Sequence, residues 1–125
     1  MTSLFVNAAF APQMAVPATV IYKERPALMQ VNPKQIAREL LTQKQFACFT
    51  KLVGKESAWN PKAKNPTSTA RGIGQLLEGT YQNLGMKHSE SGVAQTVATL
   101  AYIGRKYGSG GPCAAWEFFK RNRWY

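Results

Sequence analysis

The residue with the clearest chemical potential in this sequence is Glu56, which stands where an apolar helical pattern gives way to a polar loop. It follows Phe49, Leu52 and Val53 at helical spacing, so its carboxyl group is predicted to lie on the core-facing side of its helix. A carboxyl group that is partly shielded from water keeps its proton closer to neutral pH. Such a group can protonate the oxygen of a glycosidic bond, which makes sugar cleavage the chemistry that this residue suggests.

The other acidic residues offer Glu56 no obvious partner. Most glycosidases use two carboxyl groups, but this chain has no aspartate, and its remaining glutamates are Glu24, Glu39, Glu78, Glu90 and Glu117. Glu78 follows Gln75 closely, yet it stands beside Gly79, where a solvated turn is expected. A mechanism with a single carboxyl group therefore suits this chain better than a carboxylate pair.

Helix signals begin after residue 31. Asn32 is a good N-cap and a proline follows it, which predicts a short helix over residues 33–41. Thr42 with Gln45 three residues later has the pattern of a capping box, and it starts a second helix that is expected to end near Ser57. This second helix carries Glu56 at its last turn.

The rest of the chain is predicted to be a loop followed by further helices. Asn-Pro pairs punctuate residues 60–75, and residues 71–77 suggest a small strand or a turn. After a short turn at residues 80–84, an apolar stripe predicts a helix over residues 93–108, stopped by its final glycine. Pro112 opens a last helix. The prediction is a mainly α, small helical domain over residues 32–125.

Length and composition favour one folded domain with an affinity for polyanions. The chain has 125 residues, 45% of them hydrophobic, and 16 Lys and Arg against six Glu give a net charge of +10. Nucleic acid, anionic cell wall and acidic membrane surfaces all fit that charge. The basic residues are scattered, with one tight cluster at 120–123, so a nucleic-acid-binding module is the least favoured reading and no specific nucleic acid is expected. No stretch is long and apolar enough to span a bilayer.

Residues 1–31 form a separate segment of different composition. They are apolar and rich in small residues, but no basic residue precedes Lys23, and Pro12 and Pro17 interrupt the run. A secretory signal normally begins with positive charge, so this segment is a poor match to one. We predict an extended arm that lies on a partner in an assembly.

The two cysteines, Cys48 and Cys113, are predicted to pair. A free buried cysteine is a common alternative, because the thiol packs like a small hydrophobic group. Each cysteine nevertheless lies on the useful face of its helix, so that a bridge would join the helix of Glu56 to the last helix. Such a bridge would stabilise the fold by about 4 kcal/mol and indicates an oxidising compartment. Two cysteines and a single histidine, His88, do not suggest a zinc site, and no metal or cofactor is expected.

Three stretches carry a resemblance to a known family. "ESAWNPKA" (56–63), "NPTSTARGIGQ" (65–75) and the ending "AYIGRKYGSGGPCAAWEFFKRNRWY" (101–125) resemble the lysozyme-like lytic transglycosylases, in particular their short phage and actinobacterial forms. The resemblance covers about residues 42–125. It implies a cleft that binds peptidoglycan glycan strands and cleaves the β-1,4 bond between N-acetylmuramic acid and N-acetylglucosamine.

The resemblance also implies roles for individual residues. Glu56 matches the catalytic acid and base of the family, Ser57 the neighbour that helps to orient the carboxylate, and Gln75 the glutamine that binds substrate. In the family mechanism the glutamate protonates the leaving oxygen, the muramic N-acetyl group stabilises C1, and the glutamate then removes the proton of the C6 hydroxyl. The product is a 1,6-anhydro sugar.

The sequence departs from the family pattern at two places. Residues 114–116 fall where the family has Ala-Tyr-Asn, so Trp116 replaces the tyrosine that would contact the glutamate. Helical aromatic residues usually pack in the core, but Trp116 is placed in the cleft, and Tyr102 or Tyr107 is expected to supply a hydroxyl in place of that tyrosine. Both tyrosines are candidate substrate-binding residues, although Tyr107 is first of all expected to pack and to end its helix. Gly74 replaces the commoner methionine, which predicts a thinner cleft wall at that point.

The setting expected from these features is a phage virion or tail protein that helps to penetrate the wall and acts in the host periplasm, with secretion as the alternative. Other virion proteins are candidate partners for residues 1–31. The second functional reading is a structural virion component that uses the fold without catalysis. Digestion of purified peptidoglycan separates these two readings.

Overall fold

The computed structural model describes residues 31–125, and the predicted N-terminal segment, residues 1–31, lies outside this range apart from Val31. The described chain forms the helices α1 (Pro33–Leu40), α2 (Gln43–Glu56), α3 (Glu78–Leu84), α4 (Gly92–Tyr107) and α5 (Gly111–Asn122), with a 3-10 turn, Gly108–Gly110, before α5. Residues 31–125 contain no strand, and isolated bridges join Arg71 to Lys64 and to Leu76. The prediction of a mainly α fold is confirmed.

The core lies between α2, α4 and α5, and the loop after α2 contributes to it. Phe49, Leu52 and Val53 of α2 are fully buried, as the apolar spacing predicts. Ile73 in the loop and Ile103 in α4 pack into the same cluster. Burial of each such side chain stabilises the fold by roughly 1.5–3 kcal/mol. Glu56 therefore ends a helix whose inner face is fixed by the core.

The start of α2 is joined to the start of α5. The Oγ1 atom of Thr42 accepts a hydrogen bond from the Gln45 N–H at 3.2 Å, as a capping box requires. The Gln45 side chain does not complete that box, because its Nε2 donates to the Gly110 carbonyl and its Oε1 accepts from the Cys113 N–H. Cys48 and Cys113 form a disulfide, as predicted. The same two helices are thus linked by a covalent bond and by one amide side chain.

The segment predicted as a turn at residues 80–84 is instead part of a helix, α3. Its N-cap, Leu77, makes no side-chain capping bond, so the local sequence gives a weak start signal. Tyr81 is 2% exposed and packs into the core. Tertiary packing therefore stabilises a helix that local signals alone do not indicate. The helix ends at Gly85, whose φ of 68° suits glycine.

Gly74 is required by a close approach of the loop to α4. A Cβ atom at this position would lie 2.7 Å from the Thr99 Cγ2 atom. A side chain at position 74 would point at α4, so the expectation of a thinner cleft wall is wrong. The glycine is a packing requirement.

Replacing Gly74 by Ala is expected to lower the free energy of unfolding by about 1–3 kcal/mol, because Thr99 has to move. The matched control is Gly54→Ala in α2, where a Cβ would meet nothing within 4 Å. That control should raise stability by up to about 1 kcal/mol through helix propensity. Urea unfolding of the two variants checks the opposite signs, and equal effects would contradict the packing argument.

Candidate active site

An open cavity of about 370 Å³ lies at the end of α2. It is bounded by the last residue of α2, the loop and start of α3, the middle of α4, and the tail that follows α5, residues 123–125. Its lining residues are Glu56, Gln75, Leu76, Leu77, Thr80, Tyr102, Arg123, Trp124 and Tyr125. The sequence analysis placed Glu56, Gln75 and Tyr102 at the site, and all three line this cavity.

Glu56 is partly withdrawn from water in this cavity. Burial raises the pKa of its carboxyl group from 4.5 to about 7. Among residues 31–125 it is the only acidic side chain that lines the cavity. Glu78 instead pairs with Arg71 at 3.0 Å. At neutral pH the Glu56 carboxyl group is therefore present in both the protonated and the ionised form, and no other acidic side chain among those lining residues shares a proton with it.

Gln75 lines the cavity from the loop and has a left-handed φ of 53°. Its Nε2 atom donates to two main-chain carbonyls, those of Gly72 at 2.9 Å and Ala63 at 3.2 Å. Both amide hydrogens are thus used within the loop. The Oε1 atom is the one that can accept a hydrogen bond from a sugar hydroxyl or amide.

Ser57 does not line the cavity. It is buried, and its Oγ donates to the Ile73 carbonyl at 2.7 Å. The Ile73 N–H in turn donates to Oε1 of Gln95 at 2.8 Å, and the Nε2 of Gln95 donates to the carbonyls of Pro61 and Ser89. These bonds hold the loop against α2 and α4. Ser57 acts on the site by fixing the loop that carries Gln75.

Gln95, whose side chain holds the loop beside the cavity, was not predicted from the sequence. It is 1% exposed and belongs to α4. The sequence signal for this role is a glutamine within the amphipathic pattern that includes Val93 and Val97. A buried amide needs hydrogen-bond partners. Those partners are loop carbonyls and cannot be identified from helical spacing.

The tail supplies one wall of the cavity. Arg123 adopts a φ of 68°, which ends α5 and turns the chain. Tyr125 is 9% exposed, its hydroxyl donates to the Gly74 carbonyl at 2.5 Å, and its main-chain oxygen accepts from the Tyr102 hydroxyl at 2.7 Å. Burial, followed by the charge of Glu56, raises the pKa of Tyr125 well above its usual value. Tyr125 is therefore close enough to Glu56 to sense its charge.

Two aromatic residues that were predicted for the cleft are elsewhere. Trp116 stacks on Phe119, the next residue along the same side of α5, with ring centroids 5.8 Å apart, and it does not line the cavity. Tyr107, the last residue of α4, packs against Phe118 and is also absent from the lining. Their assignment to the cleft is corrected, because the tail, and not α5, brings an aromatic ring beside Glu56.

Within residues 31–125, no three side chains of His, Cys, Asp or Glu are grouped so that they could hold a metal ion. No helix in that range has the length and apolar character needed to cross a bilayer.

A small helical domain with one partly desolvated carboxyl group in an open cavity belongs to the lysozyme-like class. The family model described as Transglycosylase SLT domain matches residues 37–100, and this chain belongs to that family. Searches of curated proteins and of solved structures returned no match. Membership of the family implies lytic transglycosylase activity on peptidoglycan. The matched residues include Glu56 and Gln75, whereas the tail lies beyond them.

Proposed function

We propose that this chain is a peptidoglycan lytic transglycosylase in which Glu56 is the only catalytic carboxyl group. The protonated carboxyl group gives its proton to the oxygen of the β-1,4 bond between N-acetylmuramic acid and N-acetylglucosamine, and the C1–O bond breaks. The muramic N-acetyl group stabilises C1. The Glu56 carboxylate then takes the proton of the C6 hydroxyl as O6 bonds to C1, and this step forms the 1,6-anhydro product.

The observation that carries this proposal is the state of Glu56. A residue that acts first as an acid and then as a base works best when its pKa lies near the working pH. Burial sets the pKa of Glu56 to about 7. Within residues 31–125 no second Asp or Glu side chain lines the cavity, which disfavours a side-chain carboxylate as nucleophile or as the base that activates a water.

Mass spectrometry of the products tests the proposal. Purified peptidoglycan is incubated with the protein, and the released muropeptides are expected to be lighter by one water than their hydrolysed counterparts. Hydrolysed products would contradict the anhydro step. If no product is released under conditions in which a known wall-degrading enzyme is active, the structural reading of the chain as a non-catalytic virion component is favoured.

The rate of wall cleavage is expected to fall as pH rises above about 7. The first step needs the protonated carboxyl group, and the folded-state pKa of Glu56 is about 7. Well above that pH the rate should drop about tenfold per pH unit. The measurement is the release of soluble muropeptides between pH 5 and pH 9. A flat profile up to pH 9 would show that Glu56 does not supply the proton.

Gln75 and Tyr102 are proposed to bind the glycan, and Ser57 to position the loop. The Oε1 of Gln75 is the acceptor available to a sugar amide, because its Nε2 is held by Gly72 and Ala63. Tyr102 supports the tail through the Tyr125 oxygen and exposes the rest of its ring to the cavity. Both contacts fit a glycan strand laid across Glu56.

The proposed setting is a phage virion, from which this protein, a short phage form of the family, acts in the host periplasm. Secretion is the alternative. The disulfide supports an oxidising compartment. Residues 1–31 are proposed to bind other virion proteins, with residues 32–125 as the catalytic domain. Proteomics of purified particles tests the location. Removal of residues 1–31 should abolish incorporation into particles while purified residues 32–125 still cleave peptidoglycan.

A further inference from the structure

Lys106, in the last turn of α4, is exposed, and its ammonium group lies near four aromatic rings. Its Nζ lies 4.4 Å from the ring centroid of Trp124, 5.1 Å from that of Phe118, 5.3 Å from that of Tyr107 and 5.7 Å from that of Tyr102. All four distances are within the roughly 6 Å range of cation–π attraction. The Nζ also donates to the Tyr102 hydroxyl at 3.3 Å. We call these four rings the Lys106 cage.

The cage joins three parts of the chain. Tyr102 and Tyr107 belong to α4, Phe118 belongs to α5, and Trp124 belongs to the tail. Trp124 also packs edge-on against Phe118, with ring centroids 4.7 Å apart. One ammonium group thus attracts rings from both helices and from the tail. This arrangement differs from an ordinary solvated lysine, whose charge has no ordered aromatic partners.

The tail also has anchors outside the cage: Tyr125 belongs to the buried core cluster, and the Arg123 N–H donates to the Phe119 carbonyl at 2.7 Å. Helix α5 ends at Asn122, and Trp124 is 56% exposed. Beyond the cage, the side chain of Tyr125 is tied to Gly74, and its main-chain oxygen is tied to Tyr102. Tyr102 belongs to the cage and also holds Tyr125, so the cage and the cavity wall share one residue.

We propose that Lys106 is a positioning residue that holds the tail, residues 123–125, against α4 and thereby keeps Tyr125 beside Glu56. Lys106 does not touch the reacting atoms in this role. It fixes the position of the cavity wall indirectly, through its contacts with Trp124 and Tyr102. The effect on catalysis rests on the proposed function, whereas the holding of the tail does not.

Release of the tail would change the environment of Glu56. Its pKa is raised by burial, and Tyr125 lines the same cavity. The other charged or titratable groups lining the cavity are Tyr102 and Arg123. With the tail displaced, water would reach the carboxyl group and its pKa would fall. The alkaline limb of the rate profile would then move to lower pH.

The test compares Lys106→Met, which keeps an unbranched side chain one atom shorter and removes its charge, with Lys106→Arg, which retains a cation. Lys120→Met is the matched control, because Lys120 lies 5.9 Å from a single ring, that of Trp116, and pairs with the exposed Glu117. Circular dichroism verifies the fold of each variant. Proton NMR follows the ring-current shift of the Lys106 ε-protons and the contacts between Tyr125 and Gly74.

We expect Lys106→Met to lose the contacts between Tyr125 and Gly74, to lower kcat/KM about tenfold, and to move the alkaline limb to lower pH. Lys106→Arg should restore all three properties, and Lys120→Met should leave them as in the wild type. Unchanged contacts between Tyr125 and Gly74 in Lys106→Met would overturn the proposal.

Global unfolding of Lys106→Met would also overturn the proposal, because Lys106 would then stabilise the whole fold and not specifically position the tail. Phe118→Leu, which removes one wall of the cage outside the cavity, provides a second test and should move the pH limb in the same direction. If the wild-type protein cleaves no peptidoglycan, the proposed function fails, and the NMR contacts alone decide the role of Lys106.

Discussion

Replacing Glu56 by Gln is expected to reduce the release of muropeptides by at least about a thousandfold. General acid–base catalysis by one positioned group contributes roughly 10²–10⁴ in rate, and here the same group serves both proton transfers. Glutamine keeps the shape of the side chain and fills the same place in the cavity, but it can neither give nor take the proton. The loss should therefore appear in kcat, with little change in binding of glycan strands.

The matched control for this experiment is Glu39→Gln, the same change at an exposed position of α1. It should retain wild-type activity, since Glu39 does not line the cavity. A Glu56→Gln variant that keeps activity within tenfold of the wild type would remove Glu56 from the mechanism. In that case the activity of the family would have to be carried here by another group.

Unfolding is not expected to explain the loss. The pKa of Glu56 is raised from 4.5 in the unfolded chain to about 7 in the fold. The folded state therefore binds the proton more tightly, and the contribution of this group to stability is lost as pH rises from 4.5 to 7. Glutamine cannot ionise, so the variant should be at least as stable as the wild type at pH 8. Thermal unfolding at pH 5 and pH 8 checks this expectation.

The position of Glu56 could be predicted because it depends on a local pattern. Phe49, Leu52 and Val53 recur at helical spacing, and the core-facing stripe that they define also includes Glu56. The disulfide was predictable for a similar reason, since both cysteines lie on inward faces of their helices. The start of α2 and the end of α4 could be predicted from Thr42 and Gly108, which are strong local capping signals.

The walls of the cavity could not be predicted in the same way. Trp116 was predicted beside Glu56 from its expected match to a family tyrosine, but its ring stacks on Phe119 along α5. Tyr125 takes the place beside Glu56 because the chain reverses at Arg123 and its hydroxyl reaches Gly74. These contacts join residues that are 51 positions apart in the sequence. The helical spacing of apolar residues does not predict a contact between residues so far apart in the sequence.

Polar side chains inside the fold were missed for a related reason. Gln45 was expected to close a capping box and instead bonds to the start of α5. Gln95 binds loop carbonyls on two sides. A helical amide has several partners within reach, and the tertiary structure decides which of them it satisfies. The sequence predicts that such a group needs partners, but it does not identify them.

Loss of the disulfide is expected to be the largest single effect on stability. Cys48 and Cys113 are 65 residues apart, and closing a loop of that length stabilises the fold by about 4 kcal/mol in the chain-entropy model. Small domains have total stabilities of roughly 5–15 kcal/mol. The Cys48→Ala, Cys113→Ala double variant should therefore lose a large fraction of its stability, and Tm should fall by roughly 15–30 °C.

Chemical denaturation of the double variant and of the reduced wild type measures this loss. The two proteins should agree to within about 1 kcal/mol, since both lack the cross-link, and reductant should leave the double variant unchanged. A loss below about 1 kcal/mol in both would mean that the Gln45 bonds and the core packing already fix α2 against α5. Below its lowered Tm the variant should still cleave peptidoglycan, because Cys48 lies two turns of α2 before Glu56 and neither cysteine lines the cavity. Removal of Cys48 is thus expected to lower stability without abolishing catalysis, although Cys48 and Glu56 belong to the same helix.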